Sequence, residues 1–217
     1  MKKKELAKRY ILFIVSLFIS ALGVAITKRG ELGVSPISSV ANVFSYQFPI
    51  LSMGSWLIAW NCVLIVGQIF ILRKHFKPIQ FLQVPLSFLF GYFTDFGMFL
   101  VSFFPADIYV VRLIWVFLGV IVLGFGISLS VIANVIMNSG EAFVKAISDT
   151  TQKNFGNVKI LFDICCVALA IVLSLIFFDF TLVGTREGTL IAAVLTGVVV
   201  KFFQKKLLEK VDGWLRQ

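Results

Sequence analysis

Polar side chains that could bind a solute are concentrated in two segments of an otherwise apolar sequence. The segments, residues 28–49 and 135–156, lie about 107 residues apart. Each is expected to contain a short helix, and the free N–H groups at a helix start favour anions. We therefore predict a small solute with a weak preference for an anionic or carboxylate group. The candidate solute-pathway residues are Ser35, Pro36, Ser38, Ser39, Asn42, Ser139, Gly140, Glu141, Lys145 and Asp149.

Local residue types predict where these short helices begin. Ser35 is a suitable N-cap and Pro36 suits the first helical turn, so the first helix should run to about Phe48. In the second segment Ser139 is the predicted cap, with Glu141 near the positive helix end. Each helix could enter the bilayer as an interrupted or re-entrant segment, or lie on the membrane surface as an amphipathic helix.

Charged residues in the second segment follow a helical spacing. Glu141, Lys145 and Asp149 are four residues apart, which places them on one helix face in an order that favours ion pairing. Such a face is usually solvated. It becomes part of a pathway only where the helix enters the bilayer, because charges there need partners or water.

Asp95 and Asp163 are candidates for a carboxylate that couples solute movement to a cation or proton gradient. Both lie in apolar stretches, where an unpaired carboxylate is costly. Asp163 follows Lys159 by four residues, so a structural ion pair is the alternative. Asp95 has no nearby cation in sequence, and we expect either a partner from another helix or a functional proton.

Residues typical of catalysis or metal binding do not form a recognisable motif. Cys62, Cys165 and Cys166 lie in apolar stretches without CxxC spacing, and the single histidine, His75, lies in a basic loop. Nucleophile-elbow, HExxH and phosphate-loop motifs do not occur. The sequence predicts no enzymatic activity, no cofactor and no metal.

The surrounding sequence is that of a membrane protein. Its 217 residues are 59% apolar and 14% charged, and they include 24 phenylalanines. Five apolar stretches reach the roughly 17–25 residues that a spanning helix needs, and the sixth is marginal. We expect spans at Tyr10–Thr27, Leu51–Leu72, Phe81–Phe104, Val110–Ile136, Ile160–Phe178 and Thr189–Val200.

Basic residues predict the orientation of these six spans. Sixteen of the 20 Lys and Arg residues fall on the side that holds both termini. The positive-inside rule therefore predicts a multi-pass plasma-membrane protein with cytoplasmic termini. Anionic lipid explains the net charge of +9, so nucleic acid is not an expected partner.

The order of spans and polar segments repeats. Residues 1–106 and 107–217 each contain a span, a polar segment and two further spans. Three spans per half place the second half in the membrane upside down relative to the first. The fold predicted is therefore an all-α membrane protein of six transmembrane helices in two inverted-topology three-helix repeats, an arrangement common in transporters.

Several motifs resemble the YczE/YitT-type bacterial integral membrane proteins. They are GELGVSPISSV, FPILSMGSWL and PLSFLFGYFTD in the first half, and NVKILFDICC and GTREGTLIAAVLTG in the second. The second polar segment departs from the pattern because it lacks the proline expected after its glycine. The resemblance implies a six-helix plasma-membrane protein of a group often presumed to pass solutes, and it supplies no substrate.

Together these features predict a secondary or facilitative transporter or permease with its site between the two repeats. One alternative is a membrane scaffold or regulator whose polar segments are docking faces. Another is a substrate-binding membrane subunit of a larger importer. The expected partners are the lipid bilayer and a small solute, and assembly with identical copies remains open.

Overall fold

The computed structural model describes residues 3–216, and every regular element in that range is helical. Two short 3-10 turns, Arg73–His75 and Pro78–Leu82, connect the third and fourth α-helices. The α-helices are α1 (Lys3–Arg29), α2 (Pro36–Gln47), α3 (Met53–Leu72), α4 (Gln83–Ser102), α5 (Tyr109–Ala133), α6 (Ser139–Thr151), α7 (Phe155–Phe177) and α8 (Glu187–Arg216).

Five of these helices, α1, α3, α4, α5 and α7, are long and apolar enough to cross a membrane. Their positions agree with five of the six predicted spans to within a few residues at most ends. The sixth predicted span falls in α8, which is not one of the five. α2 and α6, with 12 and 13 residues, are too short to cross and occupy the two polar segments.

α1 and α5 form the central helix pair, and they run antiparallel in close contact. A Cβ added at Gly23 would lie 2.4 Å from the Leu123 backbone nitrogen, and one at Gly119 would lie 2.5 Å from that of Thr27. Small residues allow this approach, which is a common way for membrane helices to associate without a hydrophobic driving force.

The other helices pack around this pair in a pattern that is nearly the same for both halves. α4 packs on α1, and α8 packs on α5. The two short helices cross between halves, since α2 packs on α7 and α6 packs on α3. The exception is that α3 packs on α4, whereas α7 and α8 have no comparable interface.

Helices in the second half of the chain begin at similar intervals after those in the first half. α6, α7 and α8 begin 103, 102 and 104 residues after α2, α3 and α4. α5 begins 106 residues after α1, close to the spacing of about 107 residues between the two polar segments. At 103 residues, Ser38 corresponds to Glu141 and Asn42 to Lys145.

Polar contacts close each end of the helix bundle. At one end, called here the Arg9 end, the buried Arg9 guanidinium bonds Asp212 at 2.6 Å and Glu5 at 3.0 Å. It also donates to the last carbonyls of α5, those of Ile132 and Ala133. Arg9 thus joins α1 to α5 and to the end of α8.

The opposite end, called here the Lys28 end, lies where α1 and α4 finish. The Arg29 guanidinium donates to the Phe104 carbonyl just after α4. Glu31, which follows α1, forms an ion pair with Arg112 at 3.0 Å near the start of α5. These contacts join the start of the first polar segment to the connection between α4 and α5.

Candidate functional site

The first polar segment folds as its residues predict. α2 begins at Pro36, and Ser35 occupies the N-cap position with φ −58° and ψ 151°. The Ser35 hydroxyl does not cap a backbone N–H and instead donates to the Ser38 Oγ at 3.0 Å. Ser39 is fully buried and donates to the Pro36 carbonyl at 2.6 Å. The predicted helix of the first segment is confirmed.

The helix in the second polar segment, α6, begins one residue earlier than predicted. Its cap is Asn138, with φ −59° and ψ 151°, and the Asn138 side chain accepts a bond from the Ser139 N–H. The prediction of Ser139 as the cap was wrong, because Asn138 is also a good capping residue. The two caps have almost the same backbone angles, so the absence of a proline does not change how the second helix begins.

The starts of α2 and α6 meet inside the bundle. Gly140 lies so close to Ile37 that an added Cβ would come within 2.8 Å of the Ile37 Cδ1. A larger residue at position 140 would therefore push the two helix starts apart.

From this contact the two helices run to opposite ends of the bundle. α2 finishes at the Lys28 end, where the Phe44 ring stacks on Trp56 near the start of α3. α6 finishes at the Arg9 end, where Thr151 shares a cavity with Arg73, the residue after α3. The chain therefore enters and leaves the first polar segment at the Lys28 end, and it enters and leaves the second at the Arg9 end.

A buried polar cluster holds the start of α6 against α3 and α4. The amides of Gln68 and Gln83 bond reciprocally at 3.0 and 3.1 Å. Gln68 also donates to the Ser139 carbonyl at 3.2 Å, and the Ser87 and Ser139 hydroxyls are 3.0 Å apart. These four side chains are at most 2% exposed, so they join helices and have little room to contact a solute.

The end of α2 is held by a residue that sequence analysis did not select, Lys28. Its ammonium donates to Asn42 Oδ1 at 2.6 Å and to Ser45 Oγ at 2.9 Å, and it lies 4.2 Å from the centre of the Tyr46 ring. Asn42 in turn donates to the Gly184 carbonyl in the loop between α7 and α8. A lysine at the very end of an apolar span, followed by polar residues, was the signal that could have identified it.

The three spaced charges of α6 divide into an exposed pair and one partly buried acid. Lys145 and Asp149 bond at 3.3 Å with both side chains more than half exposed. Glu141 does not join them: its Oε2 is buried and, among residues 3–216, has no hydrogen-bond partner. Burial raises the pKa of the Glu141 carboxyl above its ordinary value. The predicted pairing of Glu141 with Lys145 is absent, because the start of α6 is enclosed by other helices.

The two predicted coupling carboxylates both have protein partners. Asp95 accepts from the Gly54 N–H at 2.8 Å and from the Ser52 hydroxyl at 2.5 Å, so it caps the start of α3 from a neighbouring helix. Asp163 forms an ion pair with Lys159, as the spacing of four residues predicts. Glu141 differs from both, because its buried Oε2 has no hydrogen-bond partner among residues 3–216.

Two open cavities lie beside the polar segments, at opposite ends of the bundle. One of about 540 Å³ is lined by the ends of α3 and α6, including Phe70, Arg73 and Thr151. The other, of about 220 Å³, adjoins Lys28 and Tyr46. Within residues 3–216, no three side chains of His, Cys, Asp or Glu converge as metal ligands.

Comparisons with known proteins place this arrangement in a group of membrane proteins. A family model described as a family of unknown function (DUF6198) matches residues 7–205. The uncharacterized membrane protein YczE of Bacillus subtilis (strain 168) is 29% identical over 203 residues, which are 92% of this chain and 87% of the relative. No solved structure matches this chain.

Proposed function

The chain belongs to the DUF6198 family of YczE-type membrane proteins, and from that premise we propose that it is a small-solute transporter or permease. The observation that carries this proposal is the contact between the starts of α2 and α6. Two short helices that enter from opposite ends and meet inside a bundle are a frequent way to build a solute site.

The proposed architecture is six spans in two inverted three-helix repeats, residues 1–106 and 107–217, with α8 as the sixth span. Recurrence of the helix starts after 102–104 residues supports it. So does the exchange of short helices between halves, with α2 on α7 and α6 on α3. Three spans per half require the second repeat to be inverted.

In this proposal the solute passes beside the meeting point of α2 and α6. Ser38 and Glu141 hold corresponding places there, each two residues after the start of its helix. Glu141 is the proposed coupling carboxylate, since its free oxygen can take up a proton or bind a cation. Asp95 and Asp163 take structural roles, because their oxygens are already bonded.

We also propose that the protein performs no covalent chemistry and resides in the plasma membrane with both termini in the cytoplasm. The basic residues clustered at the Arg9 end support this orientation through the positive-inside rule. Transport would then be driven by a gradient or by equilibration, with one repeat moving against the other.

A reversible cross-link between the two helix starts tests the proposal. Ile37→Cys and Gly140→Cys are combined in a chain whose native cysteines, Cys62, Cys165 and Cys166, are replaced by alanine. The protein is reconstituted in liposomes and screened for uptake of a panel of small carboxylates and their neutral amide analogues. We expect at least one solute to enter faster than in protein-free vesicles, oxidation to stop that uptake, and reductant to restore it.

Single-cysteine variants and the cysteine-free chain serve as controls for the oxidation step. If the folded protein moves no solute in the panel but copurifies with one membrane partner, the scaffold interpretation replaces the proposal. If the protein binds a solute without moving it, the interpretation as a substrate-binding subunit of a larger importer replaces the proposal. Glu141→Gln should abolish the effect of a proton gradient on uptake, whereas Asp95→Asn should leave it in place.

A further inference from the structure

Lys28 is a positively charged side chain whose bonds are all to neutral groups. Two of its N–H bonds go to Asn42 and Ser45, and the ammonium faces the Tyr46 ring. Among residues 3–216, it forms no ion pair with an Asp or Glu side chain. Its position is therefore fixed while its charge is not neutralised by direct contact.

No neighbouring acid contacts Lys28 directly: Asp95 attracts the ammonium at longer range, but its oxygens bond Gly54 and Ser52. Arg29, the next residue, adds a second cation to the same wall and donates to the Phe104 carbonyl, a neutral acceptor. Glu31 is also nearby, but its carboxylate is bonded to Arg112 at 3.0 Å. The cavity is thus lined by two cations and one acid, and that acid, Glu31, already has a cationic partner.

Lys28 and Arg29 face a cavity that has an apolar wall on its other side. The cavity measures about 220 Å³, and Ala25, Met98 and Val101 supply the apolar surface. At about 30 Å³ for each water molecule in the liquid, it holds roughly seven waters, which is below the size of drug-like ligand sites. A small molecule that is anionic at one end and apolar at the other matches this lining.

We propose that this cavity binds a small organic monocarboxylate, with the carboxylate on Lys28 and Arg29 and a short carbon chain against Met98 and Val101. The apolar wall favours such a ligand over an inorganic anion, which would lose hydration without compensation on that side. The cavity is formed by α1, α2 and α4, away from the contact between α2 and α6. The proposal therefore stands whether or not the protein transports a solute.

Binding of butyrate to the purified full-length protein tests this site, with butyramide as the uncharged analogue and inorganic phosphate as the anion without a carbon chain. Calorimetric titration in detergent or nanodiscs gives the affinity directly. We expect saturable butyrate binding that is at least about tenfold tighter than that of either analogue, because only butyrate satisfies both walls.

Substitutions then locate the binding site. Lys28→Met should weaken butyrate binding at least about tenfold, and Lys28→Arg should retain most of it. Lys74→Met, which changes an exposed lysine in a 3-10 turn, should have no effect. If Lys28→Met does not fold, Ser102→Phe keeps Lys28 and narrows the cavity from the wall formed by α4, and it should weaken binding similarly.

Three results would overturn the proposal. The first is the absence of butyrate binding to a monodisperse protein. The second is phosphate binding as tightly as butyrate, which would make the cavity a general anion site. The third is butyrate affinity that persists in both Lys28→Met and Ser102→Phe, which would place the ligand elsewhere.

Discussion

The two polar segments begin in the same way but surround themselves with different chemistry. α2 and α6 start with cap residues, Ser35 and Asn138, whose φ and ψ differ by no more than a degree. Beside α2 the charged group is the ammonium of Lys28, bonded to neutral oxygens. At the start of α6 it is the carboxyl of Glu141, which has a free buried oxygen.

The comparison teaches that two segments can share the backbone shape of their helix starts and still differ in charge. Serine and asparagine both favour the N-cap position, and they adopt almost the same backbone angles here although only Asn138 accepts a backbone N–H. Charge depends on which ionisable residues a segment carries, and these differ, with Lys28 in the first segment and Glu141 in the second. The two halves are therefore similar in framework and unequal in chemistry.

The contact between Gly140 and Ile37, at the starts of α6 and α2, is where a substitution should reduce stability most. Gly140→Leu should destabilise the protein by about 1–3 kcal/mol, because its side chain would overlap Ile37. Gly197→Leu in α8 is the matched control, since a Cβ there has no atom within 4 Å. Thermal unfolding in detergent measures both. A loss of stability in the control as large as that at Gly140 would contradict the described contact.

The buried polar cluster around Gln68, which holds the start of α6, should contribute somewhat less to the stability of the protein. Gln68→Leu removes the reciprocal amide pair and leaves the Gln83 amide and the Ser139 carbonyl without that partner. We expect a loss of about 1–2 kcal/mol. Replacing Gln68 and Gln83 together should recover part of it, because no buried amide is then left unbonded. Additive losses in the double variant would argue against direct coupling.

The Glu141 carboxyl in α6 should make the stability of the protein depend on pH. Burial raises the pKa of Glu141, so the folded state holds a proton at pH values where the unfolded state has lost it. The Glu141 contribution to stability therefore falls as pH rises through the window above the ordinary carboxyl pKa.

Glu141→Gln should remove that dependence. Its melting temperature should rise relative to the unsubstituted protein as pH increases from acidic to neutral values. Asp149→Asn, on an exposed residue of the same helix, should show a much smaller trend. Parallel curves for the Glu141 variant and the unsubstituted protein would show that this carboxyl is not buried.

Much of this framework could be predicted from sequence, because it depends on local properties. Long apolar runs located five helices that can cross a membrane, and the spacing of Lys159 and Asp163 located an ion pair. The motifs that resemble YczE-type proteins also identified the family correctly. Pro36 fixed the start of α2 because proline is suited to a first helical turn.

Contacts between distant parts of the chain could not be predicted in this way. Asp95 caps α3 from another helix, and Arg9 bonds Asp212 more than 200 residues away. Lys28 was not among the predicted site residues, because its partners in α2 lie 14 and 17 residues later. Such pairings depend on how helices pack, which the hydropathy of a single segment does not encode.

The depth of the two segments in the membrane can be measured by cysteine labelling. Ser38→Cys and Ala146→Cys are placed separately in the cysteine-free chain, and an impermeant maleimide is applied to each side of sealed vesicles. Both positions are almost completely buried, so they should react far more slowly than cysteines at the exposed loop residues Asp107 and Lys153. Any slow labelling should occur from one side of the vesicle for Ser38→Cys and from the opposite side for Ala146→Cys. Labelling of both positions as fast as the loop controls would place the helices on the membrane surface and contradict a pathway between the two halves.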